Sequence, residues 1–383
     1  MKKAFTILVW LVVAAMALAA CTPGATPTPE ATQAPAATEA PVATEAPVAT
    51  EAPVVTEAPA ATEAPVVTEA PAATEPPAAA EPFRVAVVMP SAVNDLAFSQ
   101  SMYDALLAIQ AEMGEGNFEF VYSENMFVVE DAAAAIRDYA SQGFNLVIAH
   151  GSQYGSSLVE IAPDFPETSF AHGTTVDTFT DQGITNVFAY EARSEQGGYV
   201  NGVMAALLSQ SGVIGVVGPI ETGDAKLYVD GFKAGVAAAN PNAKVNVSWI
   251  QSFSDTAQAA EAAQTHINSG ADVLTGTAQM VVGAVGVAQE NDVWWFGTQS
   301  NQTSLAPEIV VASQVYKWDV VLREIIDLIN SGTLGGQAFQ ADLANGGEAI
   351  EFNPDSQLAS DVQAAAEAAV AGISDGSVEI QLP

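Results

Sequence analysis

The sequence predicts an α/β fold: two doubly wound, parallel-sheet lobes joined by a hinge. Three observations predict it. A low-complexity segment is followed by about 300 residues, enough for two lobes that each bury a sheet. Along that stretch, short apolar runs alternate with segments of helical spacing. Several runs are apolar at nearly every position, the pattern of strands covered on both faces by helices.

Each element follows in order. Arg84-Val85-Ala86-Val87-Val88-Met89-Pro90 is a strand stopped by proline, which cannot donate to a ladder. Residues 98–114 carry apolar side chains at helical spacing and end in glycine. Phe118-Glu119-Phe120-Val121-Tyr122 is a strand, and 130–143 is an Ala-rich helix closed by Gln142-Gly143. Asn145-Leu146-Val147-Ile148-Ala149-His150 is a strand ending at Gly151, and 167–172 and 186–190 are two more. A long helix over 194–211 leads to Val213-Ile214-Gly215-Val216-Val217-Gly218-Pro219, which opens a second set of units. There the helices are 226–239, 257–269 and 281–291, and the strands 245–250, 271–275, 293–297 and 310–315. Such alternation implies right-handed crossovers, parallel sheets and ligand chemistry at the C-terminal ends of the strands. Residues 83–190 and 300–335 are assigned to lobe 1, and 191–299 and 336–383 to lobe 2.

The chain before residue 83 has a different character. Lys2 and Lys3 precede an apolar stretch over 4–17 that is too short for a confident membrane span. It ends in Leu18-Ala19-Ala20-Cys21, and Cys21 is the only cysteine. These residues resemble the lipobox of bacterial lipoproteins, in which the leader is cut before the cysteine and its thiol is lipidated. The resemblance implies a signal peptide over 1–20 and a body tethered to the extracytoplasmic face of the cell membrane. Residues 22–82 contain no Lys or Arg. A Thr-Glu-Ala-Pro unit recurs every six residues, with Thr at 38, 44, 50, 56, 62, 68 and 74, the last copy reading Thr-Glu-Pro-Pro. Proline at that spacing blocks helix ladders, so 21–82 reads as the anchor cysteine plus a disordered, acidic, extended spacer.

Net charge is −35, from 45 Asp and Glu against 10 Lys and Arg. That balance argues against duplex nucleic acid as a partner, because no patch can neutralise phosphates, and against a basic membrane-binding face. It suits an exported protein that must stay soluble.

Asn94-Asp95-Leu96-Ala97-Phe98-Ser99-Gln100-Ser101 resembles the Asp-x-x-Phe-Asn-Gln signature of the basic membrane protein family. These are substrate-binding lipoproteins of ABC importers, several of which take purine nucleosides. The resemblance continues through Glu195-Gln196-Gly197-Gly198-Tyr199-Val200-Asn201-Gly202, Asp230-Gly231-Phe232-Lys233-Ala234-Gly235 and Gly270-Ala271-Asp272-Val273-Leu274. It implies a type I periplasmic-binding-protein fold that closes around a small, purine-related heterocycle and docks on an ABC permease. The sequence departs from the family at Gly297-Thr298-Gln299-Ser300-Asn301-Gln302, where the family has Gly-x-Asp-Ser-Asp-Gln. Gln299 stands where the family offers an aspartate to ribose hydroxyls, so charge-assisted bonding to a sugar is expected to be lost.

The candidate ligand residues follow from strand ends and from this resemblance. Asp95 either accepts ligand hydrogens or caps the helix behind it, and Phe98 either stacks on a heterocycle or packs as a core residue. His150, Gly151 and Ser152 end the third strand; glycine permits close backbone approach, and His150 is ligand or structural. Tyr190 and Glu191 mark the first crossing between lobes, as hinge or pocket. The family places a lysine near the ligand, here Lys317, and Trp318 would complete a sandwich with Phe98. Trp294 and Trp295 read as core.

Catalysis, cofactors and metals are not expected. In Gly151-Ser152-Gln153-Tyr154-Gly155 the serine is one place early for a nucleophile elbow. Residues 212–218 lack a dinucleotide fingerprint, and His150, His172 and His266 lack metal-ligand spacing.

Overall fold

The computed structural model describes residues 81–382. Cys21, the leader and most of the repeat segment lie outside them. The first sheet contains β1 (Phe83–Val88), β2 (Phe118–Ser123), β3 (Leu146–His150), β4 (Ser169–Gly173) and β5 (Val187–Ala192). The second contains β6 (Val213–Gly218), β7 (Lys244–Trp249), β8 (Val273–Gly276), β9 (Trp294–Gly297) and β10 (Val310–Tyr316). Two short strands, β11 (Ala338–Ala341) and β12 (Glu348–Phe352), are added at the edges. The spatial orders are β11-β5-β4-β3-β1-β2 and β12-β10-β9-β8-β6-β7, parallel except for β12 against β10.

Helices cover both faces of each sheet. Val85 and Val87 of β1 point into a core with α1 (Phe98–Met113) and α8 (Trp318–Asn330). Ala86 and Val88 point to α2 (Val129–Ser141) and α3 (Gly155–Ile161). In the second sheet Ile214 and Val216 meet α4 (Ser194–Leu208), α5 (Gly223–Ala239) and α9 (Ser360–Ser374). Val217 and Leu274 meet α6 (Thr256–Asn268) and α7 (Val281–Glu290). Strands buried on both sides cannot alternate polar with apolar, which is why β1, β3 and β6 read as continuous apolar runs.

Two of the motif segments explain a helix contact. Gly198 and Gly202 of α4 face Gly231 and Gly235 of α5, and a Cβ on any of the four would collide with a backbone oxygen of the opposite helix. These glycines allow two helices to pack at backbone distance. The motifs that carry them are therefore packing determinants of lobe 2.

The expected lobe boundaries need correction. The sequence places residues 300–335 in lobe 1, but β10 pairs with β9 and β12 in the second sheet, and only α8 returns to the first. The sequence places residues 336–383 in lobe 2, yet β11 pairs with β5 in the first sheet. The chain thus crosses between lobes three times: from β5 to α4, from β10 to α8 and from β11 to β12. β11 and β12 are only four and five residues long, too short for their period to give a sequence signal.

Helix α4 ends earlier than its spacing suggests. The Asp272 carboxylate accepts hydrogen bonds from Ser209 Oγ at 2.6 Å and from the Gln210 and Ser211 amides, both at 2.7 Å. Those bonds draw the chain out of the helix. Helix α5 starts at Gly223, which places Asp224 in its first turn.

Candidate functional site

In a doubly wound sheet the natural crevice lies at the carboxyl ends of the strands where the order reverses. In this fold those places are β1/β3 in the first sheet and β6/β8 in the second. The loops at this end of both sheets line a cavity of about 420 Å3. Lobe 1 contributes Pro90 and Phe98 after β1, Phe127 and Val129 after β2, Gly151, Ser152 and Gln153 after β3, and Thr174 after β4. Lobe 2 contributes Thr222, Gly223, Asp224 and Ala225 after β6, Phe253 after β7, Ala278 and Gln279 after β8, and Gln299 after β9. Its size and its apolar walls with a few polar groups are those of a small-molecule site.

Of the residues expected from sequence, Phe98, Gly151, Ser152 and Gln299 line this cavity. The half-buried Phe98 ring lies flat on His150, with centroids 3.9 Å apart. His150 itself is fully buried and does not line the cavity. Its Nε2 is 3.2 Å from the Phe98 carbonyl oxygen, and its Nδ1 is 2.7 Å from the Tyr190 hydroxyl. A carbonyl can only accept, so Nε2 carries the proton and Nδ1 accepts from Tyr190. Burial pushes the His150 pKa down to about 3, which keeps the ring neutral. His150 and Tyr190 therefore form a support behind Phe98.

Asp95 takes its capping role. Its carboxylate accepts from the amides of Ala97 at 2.9 Å and of Ser99 and Gln100, both at 3.1 Å, and from Ser91 Oγ at 2.5 Å. Those donors occupy it at the start of α1. Glu191 accepts from Gln340 Nε2 at 2.7 Å, joining β5 to β11 at the lobe edge. Lys317 lies on the second crossover and pairs with Glu351 at 2.6 Å.

The expected sandwich of Phe98 with Trp318 does not form. Trp318 is fully buried in the lobe 1 core, and its indole Nε1 donates to Ser101 Oγ at 2.9 Å. It opens an apolar stripe with Val321, Leu322, Ile325 and Ile326 that faces the sheet. The other aromatic rings at the cavity are Phe127 from lobe 1 and Phe253 from lobe 2. Both sit in loops after strands, where sequence offers only position as a signal.

Asp224 is the cavity-lining residue that sequence reasoning most clearly missed. Its Oδ2 accepts from Gln299 Nε2 at 3.3 Å and from the Tyr316 hydroxyl at 3.2 Å. Burial raises its pKa above the usual carboxylate value, and these two bonds offset part of that rise. Gln299 has a left-handed backbone, φ 68°. Beside it, Ser300 Oγ donates to the Ala97 carbonyl at 2.7 Å and Gln302 Nε2 to the Leu96 carbonyl at 3.2 Å. The loop after β9 thus bonds lobe 2 directly to the segment before α1.

A family model described as "Bmp: ABC transporter substrate-binding protein PnrA-like" matches residues 83–381. The chain belongs to this family. It is 28% identical over 260 residues to a purine-binding protein of Brucella abortus, covering 68% of this chain and 72% of the relative. It is also 28% identical over 264 residues to the transcriptional activator protein Med of Bacillus subtilis, covering 69% and 80%. Among solved structures, an ABC transporter solute-binding protein from Conexibacter woesei superposes with a TM-score of 0.65 at 22% identity, covering 78% of this chain and 99% of that one. This last likeness concerns the fold, two parallel-sheet α/β lobes of the type I periplasmic-binding-protein kind.

Proposed function

We propose that this chain is the substrate-binding lipoprotein of an ABC importer, and that it captures a small purine-related heterocycle between its lobes for delivery to a membrane permease. Family membership supports the binding-protein role. The observation that carries the ligand class is the cavity, where the rings of Phe98, Phe127 and Phe253 meet the polar groups of Asp224 and Gln299. Aromatic faces suit a flat heterocycle, and polar edges fix its orientation. The Brucella abortus relative, a purine-binding protein, points the same way. Closure of two hinged lobes sequesters the ligand and presents both lobes to the permease. Binding without turnover is the expected chemistry, as it is for a substrate-binding family.

The test is mass spectrometry of small molecules released when purified full-length protein is denatured. A purine or nucleoside, with loss of its uptake in a deletion strain, supports the proposal; an unrelated ligand overturns the purine reading. A second reading, a lipoprotein that senses a ligand without transporting it, gains support from the likeness to Med. Unchanged uptake with altered gene expression in the deletion strain would favour it. Anchoring through Cys21 is tested by labelling cells with a clickable fatty acid. Label is expected on the wild type and absent from Cys21→Ala, which should leave the membrane fraction; an unlabelled wild type would refute the anchor.

A further inference from the structure

We infer that the hinge carries a proton-operated latch: Glu348, buried where the three crossings between the lobes meet, holds the first turn of α4 against β10 as a neutral acid and loosens that junction when it ionises beside Glu195. The latch needs no ligand, so the inference stands apart from the reading of the cavity.

The three crossings are bonded to one another. The Arg193 amide donates to the Ala341 carbonyl at 2.9 Å, the Lys317 amide to the Gly347 carbonyl at 2.8 Å, and the Leu343 amide to Gln196 Oε1 at 2.9 Å. Glu348 stands inside this junction and is 1% exposed. Its Oε1 accepts from Gln314 Nε2 of β10, and its Oε2 accepts from the Gly197 amide of α4 at 3.3 Å. Gln314 Nε2 also donates to the Ser194 carbonyl at 3.1 Å. One carboxyl group thus joins β12, β10 and α4. The packing is close: a Cβ on Gly197 would lie 2.7 Å from Glu348 Oε1.

A second carboxyl group is buried on the same helical turn as Gly197. Glu195 Oε1 pairs with Arg193 Nε at 2.6 Å, while its Oε2 is buried without a donor. The other titratable groups that act on Glu348 are Asp342 in the β11–β12 link, Tyr316 of β10 and Tyr228 of α5. Arg193 is engaged by Glu195, and Lys317 is held 2.6 Å from Glu351. Among the described residues no cation pairs with Glu348. Burial, with Glu195 and Asp342 nearby, raises its pKa well above the ordinary carboxylate value, against the bonds from Gln314 and Gly197. An ionised Glu348 is an uncompensated buried charge. The acid form removes that charge and brings an O–H donor to a junction where Glu195 Oε2 lacks one. The direction of the shift sets the sign. The intact junction binds a proton that the loosened one releases, so it is complete at lower pH and is lost as pH rises through the raised value.

Hydrogen exchange on the full-length protein, corrected for intrinsic rates and followed from about pH 5 to pH 9, reads the junction through peptides over 193–201 and 342–348. Wild type is expected to lose protection there by about tenfold or more as pH rises, while a peptide over β3 keeps its own. Glu348→Gln, neutral at every pH, should keep the protection throughout. Infrared spectra at neutral pH should show a protonated-carboxyl band in wild type that Glu348→Gln lacks. Glu195→Gln serves as the second variant should Glu348→Gln fail to fold. With the like charge gone, its transition is expected at lower pH than in wild type. Wild-type protection that is flat with pH, a loss shared with β3, an equal loss in Glu348→Gln, or the absence of the infrared band overturns the inference. So does a transition that stays in place in Glu195→Gln.

Discussion

The two lobes share one topology but bring different chemistry to the cavity. The strand orders β5-β4-β3-β1-β2 and β10-β9-β8-β6-β7 are the same doubly wound arrangement, and each opens at its own switch point. Lobe 1 presents two rings, Phe98 and Phe127, with Pro90 and Val129 beside them. Its polar side chains there are Ser152, Gln153 and Thr174, whereas lobe 2 presents one ring, Phe253, and, among the described lining residues, the one carboxylate, Asp224, with Gln299 bonded to it. The fold therefore sets where a ligand lies, while the loops set which face each lobe reads. A ligand with an aromatic face and a polar edge satisfies both lobes only when they are together. Under the proposed function, that complementarity would favour closure on ligand.

The comparison is broken most severely from inside lobe 1. Trp318→Ala removes a buried indole and leaves Ser101 Oγ without its donor. The expected loss is about 3–5 kcal/mol of folding stability, read as a lower melting temperature. A full-stability variant with weakened ligand binding would instead restore Trp318 to the cavity. Next in size, Phe98→Ala should weaken an aromatic ligand by about 1–3 kcal/mol, the scale of base stacking, with the fold intact. Phe253→Ala tests the one ring of lobe 2 on the same scale. If only Phe253 matters, the division of labour drawn above is reversed.

The smallest effect concerns the support of the lobe 1 ring. The pKa of His150 is lowered to about 3 from an ordinary 6.5. Below 6.5 the unfolded chain takes up this proton before the folded one, so stability is complete above that value and is lost progressively towards about 3. His150→Gln should therefore show a shallower fall in melting temperature between about pH 7 and pH 4 than wild type. Parallel curves for the two proteins would show that His150 does not stay neutral behind Phe98.

Alternating periods made the strand–helix units legible, because a strand buried on both faces leaves a continuous apolar run. The lobe assignment of β10 and β11 was not legible, since sequence order does not say which sheet a returning strand joins. The cavity was legible as a set of loops after strand ends, and Phe98, Gly151, Ser152 and Gln299 line it. Side-chain direction was not. Asp95 lies in the loop after β1 and His150 ends β3, yet they turn to the helix start and to the back of the Phe98 ring. Trp318 was readable in hindsight from its own helix, whose stripe at 318, 321, 322, 325 and 326 is that of a core face. Gln299 read alone suggested that the carboxylate is missing; Asp224 brings one to its side from a different element.

The most direct test of the central claim is a calorimetric titration of full-length wild type, Phe98→Ala, Asp224→Asn and the double variant with a purine nucleoside. The account predicts one saturable site per chain in wild type, weaker binding in each single variant, and losses that roughly add in the double variant because the two residues grip different parts of one ligand. Undiminished affinity in the double variant, or no binding to wild type, would contradict it.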